Sequence, residues 1–177
     1  MDINDLVKLT SKAWSLQILA ALDQGVPGRQ AALLISLNVS RSAFPASLKH
    51  LIDIGLVDRN PGHGHPLRPE FRMTEKGRAA AHMAGKIVKY VDVPSLPALR
   101  KAWTVPVLAV SGKPIRFSGL RSALPAISDR ALSQSLVLLE NRCWIERCMD
   151  MSARTPFPIY RAINEGAMIH KRVREVA

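Results

Sequence analysis

A stretch near the end of the chain combines hydrogen-bonding side chains with helical spacing. Between Ser128 and Leu139, apolar residues recur at three- and four-residue intervals. The inward residues of this pattern are Ala131, Leu132, Leu136 and Leu139, and the outward ones are Asp129, Arg130, Ser133, Gln134 and Val137. Arginine and glutamine can read guanine and adenine edges in a DNA major groove, and serine can bind phosphate. We therefore predict a recognition helix here, with Ser128 as its N-cap.

Asp129 is the one outward residue whose charge opposes this prediction. Phosphate repels a carboxylate, so contact with the DNA backbone is disfavoured at this position. Two other roles stay open for Asp129. It could favour the helix dipole at the N-terminus, or it could accept a hydrogen bond from a cytosine amino group.

A second candidate recognition helix lies 88 residues earlier in the chain. Ser40 is suited to cap a helix from Arg41 to Ile54, whose apolar side is Phe44, Leu48, Leu51 and Ile52. The candidates for DNA contact in this stretch are Ser40, Arg41, Ser42, Ser47 and Lys49. Pro45 would occupy the fifth helical position, where it removes one intrahelical bond and shortens or kinks the helix start.

Each candidate helix is followed by two short predicted strands that enclose a loop, a pattern typical of a wing. The first loop is rich in Gly and Pro and carries His63, His65 and Arg68, while the second carries Arg154. These four residues are candidates for DNA contact, because a flexible loop that carries an arginine suits the minor groove or flanking phosphates. The two histidines also raise a metal site, but two ligands separated by one residue are weak evidence for one. We predict neither a metal nor a cofactor.

The elements that position these stretches occur twice in the sequence. Lys12-Ala13-Trp14 recurs as Lys101-Ala102-Trp103, and Leu56-Val57-Asp58-Arg59 recurs as Trp144-Ile145-Glu146-Arg147, at offsets of 89 and 88 residues. The remaining predicted helices span Asp2 to Leu22, Arg29 to Ser36 and Lys76 to Tyr90. Two prolines mark a linker or a sharp bend at Val93 to Pro97. This indicates an internal duplication, with an N-terminal unit at 1–95 and a C-terminal unit at 96–177. Each unit is expected to be mainly α with a small β wing.

These residues resemble the HxlR-type winged helix-turn-helix regulators, which are relatives of the MarR group. The resemblance is carried by Lys101-Ala102-Trp103, Ile115 to Arg121, Leu124 to Ser128 and Tyr160, and it is looser over residues 10 to 90. It implies tandem winged helix-turn-helix domains and a bacterial transcription factor that binds DNA. Such regulators are usually dimers with one winged helix per chain, so two units in one chain imply a monomeric pseudo-dimer or a homodimer.

Composition agrees with a nucleic-acid partner. The chain has 25 Lys and Arg against 14 Asp and Glu, for a formal charge of +11, and such an excess favours a polyanion as partner.

Cys143 and Cys148 match no zinc spacing, and we expect them to be buried rather than to form a redox switch. No phosphate loop, paired-carboxylate motif or nucleophile elbow points to an enzyme. No signal-peptide or membrane-span pattern is found, so a cytoplasmic protein that makes no membrane contact is expected.

The sequence thus predicts a DNA-binding transcriptional regulator, a repressor by analogy, with double-stranded DNA as its partner. The alternative is a tandem winged-helix scaffold for protein interactions in chromosome or transcription machinery. Cations on the outer helix faces favour the regulator, because a scaffold does not need them there.

Overall fold

The computed structural model describes residues 1–60, 69–152 and 154–175. In the first unit the elements are α1 (Ile3–Thr10), α2 (Ser15–Asp23), α3 (Gln30–Leu37), α4 (Phe44–Asp53), β1 (Val57–Asn60), β2 (Glu70–Met73) and α5 (Glu75–Tyr90). A 3-10 helix, Val93–Arg100, leads into the second unit. There the elements are α6 (Thr104–Val110), β3 (Ile115–Arg116), α7 (Phe117–Ala123), α8 (Asp129–Asn141), β4 (Ile145–Asp150), β5 (Phe157–Ala162) and α9 (Asn164–Arg174).

This order of elements confirms the predicted fold class. The chain is mainly helical, and each unit has a strand pair that follows its candidate recognition helix. α5 begins one residue before the predicted start, after the N-cap Thr74, and ends at Tyr90 as predicted. None of the helices in the described part of the chain is long and apolar enough to cross a membrane.

The prediction of one helix from Asp2 to Leu22 is wrong. The segment forms α1 and α2, separated by a turn at residues 11–14. The backbone N–H of Trp14 donates to the hydroxyl of Ser47 in α4 at 3.2 Å. A helix continuing through Trp14 would direct this N–H at a carbonyl four residues earlier. A contact with a distant side chain therefore replaces the local hydrogen bond.

The start of the first recognition helix also differs from the prediction. α4 begins at Phe44 rather than Arg41, residues 41–43 form a turn, and Ser40 caps no helix. The Ser40 hydroxyl instead lies 3.1 Å from the hydroxyl of Ser42. Pro45 consequently lies in the first turn, where a missing N–H breaks no intrahelical bond. Proline sets where the helix begins and does not kink it.

The segment predicted to be a linker or a sharp bend is a folded helix. Its prolines lie within the 3-10 helix Val93–Arg100, in which Ala98 and Leu99 are buried. Arg142 from the end of α8 donates to the Ser95 hydroxyl at 3.1 Å. The segment is thus part of the packed structure.

The two wings differ in the number of strands that support them. β1 and β2 form an antiparallel pair, to which Arg29 adds only an isolated bridge with Glu70. In the second unit β3 adds a third strand, giving the order β3-β5-β4 with Ile115 opposite Tyr160. The sheet at the second wing thus has one strand more than the strand pair described at the first.

One close backbone contact occurs at the same place in both units. Gly77 in the first turn of α5 lies against the carbonyl of Leu56, and Gly166 in α9 lies against the carbonyl of Trp144. A Cβ at either glycine would overlap that carbonyl oxygen. The helix after each wing can therefore approach its strand only because the residue at this position lacks a side chain.

The two units share one continuous hydrophobic core. α1 contacts α6, and α5 contacts α9. The buried Thr10 hydroxyl donates to the carbonyl of Ala102 at 2.8 Å, and the Arg100 guanidinium stacks over the Trp14 ring at 4.2 Å. These contacts join the units through side chains as well as through the connecting 3-10 helix.

Charged contacts extend this junction at its edge. The Arg172 guanidinium lies 4.8 Å from the centre of the Tyr90 ring, and Lys86 pairs with Glu175 at 3.3 Å. Desolvation opposes ionisation of Glu175, but hydrogen bonding from Lys86 and the charge of Arg172 outweigh it and hold its pKa below the ordinary value. The carboxylate is therefore charged at neutral pH and links both cations.

We predict that Gly166→Ala destabilises the protein by about 1–3 kcal/mol, because the new methyl group must displace backbone. Gly119→Ala is the control. Its Cβ would lie 2.8 Å from Ile115 Cγ1, a movable side-chain atom, and alanine gains up to about 1 kcal/mol of helix propensity over glycine. Thermal unfolding measures both. Equal losses would contradict the role assigned to the carbonyl contact.

Candidate nucleic-acid interface

α8 presents the hydrogen-bonding face that its sequence predicts. The Ser128 hydroxyl accepts the backbone N–H of Ala131 at 3.2 Å, which confirms the predicted N-cap. Leu132, Leu136 and Leu139 are buried, as expected from their spacing, whereas Ala131 is only half-buried. The outward residues Asp129, Arg130, Ser133, Gln134 and Val137 are all exposed.

Arg130, Ser133 and Gln134 lie together on this face. Within the described ranges, none of the three makes an ion pair or a side-chain hydrogen bond. These polar groups can therefore bind a ligand without first breaking a hydrogen bond or an ion pair within the described part of the protein. DNA contact by these residues stays a prediction.

Asp129 forms an ion pair with Arg121, a residue that the sequence patterns do not assign to the site. Arg121 in the last turn of α7 donates to the Asp129 carboxylate at 2.8 Å and to the carbonyl of Pro125 at 3.0 Å. Arg121 thus ties the two helices of the helix-turn-helix together and neutralises the carboxylate beside the recognition face. The pair spans eight residues across a turn, which no local spacing rule would have found.

The candidates in the first unit are placed less uniformly. Arg41 and Ser42 are exposed in the turn before α4, and Lys49 is exposed on the helix. Lys49 pairs with Asp53 one turn later at 2.8 Å. Ser40 is exposed beside Ser42, so four of the five candidates are accessible.

Ser47 is a correction to the predicted set. Its side chain is buried, with 3% of the residue exposed, and it accepts the N–H of Trp14. A hydroxyl enclosed between α4 and α2 cannot reach DNA, so Ser47 has a structural role at the turn between α1 and α2.

The second wing presents Arg154 as an exposed cation, whereas His63, His65 and Arg68 of the first wing lie outside the described residues. At the base of the second wing, the Arg116 guanidinium lies 3.3 Å from the centre of the Phe157 ring. The Ser152 side chain and backbone N–H both bond the carboxylate of Asp150 and hold its pKa below the ordinary value. Stacking and turn hydrogen bonds thus shape this wing below Arg154.

The expectation of buried cysteines is wrong. Cys143 and Cys148 are both free and exposed. Cys143 takes the position of Gly55, at the turn that ends the recognition helix, and both residues have positive φ, 53° and 72°. The turn directs the Cys143 side chain outward. Within the described part of the chain, no group of three or more histidine, cysteine and acidic residues could hold a metal ion.

Comparison with known proteins agrees with the duplicated fold. A family model described as HxlR-like helix-turn-helix matches residues 9–94 and again residues 98–177. Two relatives, the uncharacterized HTH-type transcriptional regulators Rv3095 of Mycobacterium tuberculosis and Mb3122 of Mycobacterium bovis, are each 36% identical over 77 residues. The match covers 44% of this chain and 48% of each relative, so the chain spans about half the length of these curated proteins. No solved structure gives a significant match.

The unequal caps of the two recognition helices give a direct test of this geometry. Ser128→Ala should cost about 1 kcal/mol of unfolding free energy, because the N–H of Ala131 loses its partner. Ser40→Ala removes the same group from an exposed position that caps nothing and should stay within about 0.5 kcal/mol. Denaturant unfolding of both variants measures the difference. A loss at Ser40 as large as that at Ser128 would contradict the observed start of α4.

Proposed function

Because the chain belongs to the HxlR-like helix-turn-helix family, we propose that it is a sequence-specific DNA-binding transcriptional regulator that acts as a repressor. The observation that carries this proposal is the face of α8. Arg130, Ser133 and Gln134 lie exposed along one side of a capped helix, and Asp129 beside them is neutralised by Arg121. These are side chains that hydrogen-bond base edges and phosphates.

The charge of the chain supports a DNA partner. A formal charge of +11 attracts a polyanion, and each phosphate contact releases condensed counterions. Arg41 and Arg154 are exposed, and neither makes an ion pair with any described residue. They are proposed to contact the DNA backbone on either side of the recognition helices.

We propose further that the two recognition helices act together as a pseudo-dimer within one chain. Two-fold regulators place such helices about 34–36 Å apart, one turn of the duplex, so that they read two half-sites. The continuous core and the contacts of α1 with α6 and of α5 with α9 support a fixed relation between the units. Covalent linkage then removes the need for a second chain.

A protein-interaction scaffold is the second candidate. Ile35 on α3 is 81% exposed, and an exposed apolar side chain is typical of protein contacts when it belongs to a larger patch. However, the exposed cation Arg41 lies in the turn between α3 and α4 and lines the same groove as Ile35. A cation at this place favours DNA over a protein partner.

The proposed function predicts a steep dependence of binding on salt. Fluorescence anisotropy with genomic fragments and with random duplex, repeated across a salt series, measures the slope of log K against log salt, which should approach about −0.9 per phosphate contacted. Absence of binding even at low salt would overturn the regulator and leave the scaffold.

Two substitutions on α8 test whether it reads bases. Arg130→Ala and Gln134→Ala should each cost about 1–3 kcal/mol on the preferred fragment and much less on random duplex. Lys89→Ala is the charge-matched control for Arg130, because it removes an exposed cation from the last turn of α5. It should change the affinity for neither the preferred fragment nor the random duplex. Equal losses on both DNAs would instead place Arg130 and Gln134 on phosphate.

A further inference from the structure

The outer faces of the two recognition helices can be compared position by position. Leu48 and Leu51 of α4 correspond to Leu136 and Leu139 of α8 at an offset of 88 residues, and the members of both pairs are buried. These anchors fix which outward residue of one helix corresponds to which residue of the other.

The α8 face has three kinds of recognition group within two turns. Arg130 donates hydrogen bonds, Gln134 both donates and accepts them, and Val137 is apolar and 57% exposed. Val137 lies three residues beyond Gln134, so it is on the same side of the helix and about 4.5 Å further along the axis. That rise is larger than the step of about 3.4 Å between neighbouring base pairs and smaller than two such steps, so the nearest neighbouring base pair is the one that Val137 can reach.

An exposed valine on this face matches one feature of the major groove. The thymine 5-methyl group is the apolar group that a base pair presents there, and small apolar side chains contact it. Burying a methyl-sized surface contributes about 0.8 kcal/mol per carbon. Val137 can therefore distinguish thymine from cytosine next to a base pair that Gln134 contacts.

The corresponding face of α4 lacks these groups. Pro45 and Ala46 stand at the positions of Ser133 and Gln134, and both are exposed. Neither has a side chain that can form a hydrogen bond. Lys49 stands where α8 has Val137, and its ammonium group is paired with Asp53 at 2.8 Å.

The first unit nevertheless presents cations around its recognition helix. Arg29 and Arg41 line one surface groove together with Gln30 and Asn38. Arg41 precedes the first turn of α4, because the helix starts three residues later than its counterpart in the second unit. Cations at the edge of a helix-turn-helix suit phosphates, which carry no sequence information of their own.

We propose that hydrogen-bonded base readout belongs to α8 alone, where Val137 contacts a thymine methyl group, and that the first unit holds flanking phosphates through Arg29 and Arg41. This division rests on the proposed function. It means that the two halves of the bound site contribute unequally to specificity, although both contribute to affinity.

Selection of duplexes from a random library by the full chain tests the division. The expected result is one informative half-site, with little base preference one helical turn away. Two half-sites of equal information would overturn the inference while leaving the regulator intact. A library from which no duplex is retained, even at low salt, would overturn the proposed function itself.

Replacement of single thymines by deoxyuridine in the selected site tests Val137. At one position the loss of the methyl group should weaken binding about fourfold. The same replacement should have a clearly smaller effect on the Val137→Ala variant, whose shorter side chain buries less of the methyl group. If every replacement weakens binding of the variant as much as binding of the unsubstituted chain, the thymine contact is contradicted.

Arg41→Ala is the matched variant for the first unit. It should weaken binding to all sequences alike and reduce the salt slope by about one unit, while the selected sequence stays the same. A changed base preference in this variant would show that the first unit reads bases and would overturn the division. Thermal unfolding of Val137→Ala and Arg41→Ala should match that of the unsubstituted chain, because both side chains are exposed.

Discussion

The packing between the two units is the constraint on which the proposed mechanism depends. A pair of recognition helices can engage one face of a duplex together only if their separation is held near one helical turn. Here the helices that follow the wings, α5 and α9, contact each other, and Thr10 and Trp14 of the first unit contact Ala102 and Arg100 of the second. The shared core makes the relation of the two helix-turn-helix units a property of one folded chain.

Duplication retained the framework and altered the surface. Both units keep a glycine pressed against the carbonyl of the residue just before the first wing strand, and both end the recognition helix with a residue of positive φ, which is Gly55 in one and Cys143 in the other. Backbone geometry at these points tolerates little change. Exposed side chains are not restricted by such backbone contacts, and the two units differ there: Gln134 in one unit stands where the other has Ala46. A homodimer, with two identical helices, could not make the proposed division between base reading and phosphate binding.

Spacing and capping patterns in the sequence predict buried helix faces, a helix cap and the wing strands, because interactions between residues close in the chain determine these features. The spacing of leucines predicts the inner face of α8 and identifies Ser128 as its cap, and the strands that flank both wings lie where they are expected. Two of the errors meet at one contact between distant residues. The N–H of Trp14, at the break between α1 and α2, donates to the hydroxyl of Ser47, which was expected to face DNA but lies on the buried side of α4 with Phe44 and Leu51. The ion pair of Arg121 with Asp129 and the exposure of Cys143 likewise depend on how a turn folds in three dimensions.

The most direct test of the central claim is the mass of the specific complex, measured by sedimentation with a selected duplex long enough for two half-sites. We predict one protein chain per duplex, because the chain carries both DNA-binding units and their spacing is set within it. Two chains on each duplex, with no one-chain complex at any protein concentration, would contradict the account. The functional unit would then be a homodimer in which each chain contributes one recognition helix.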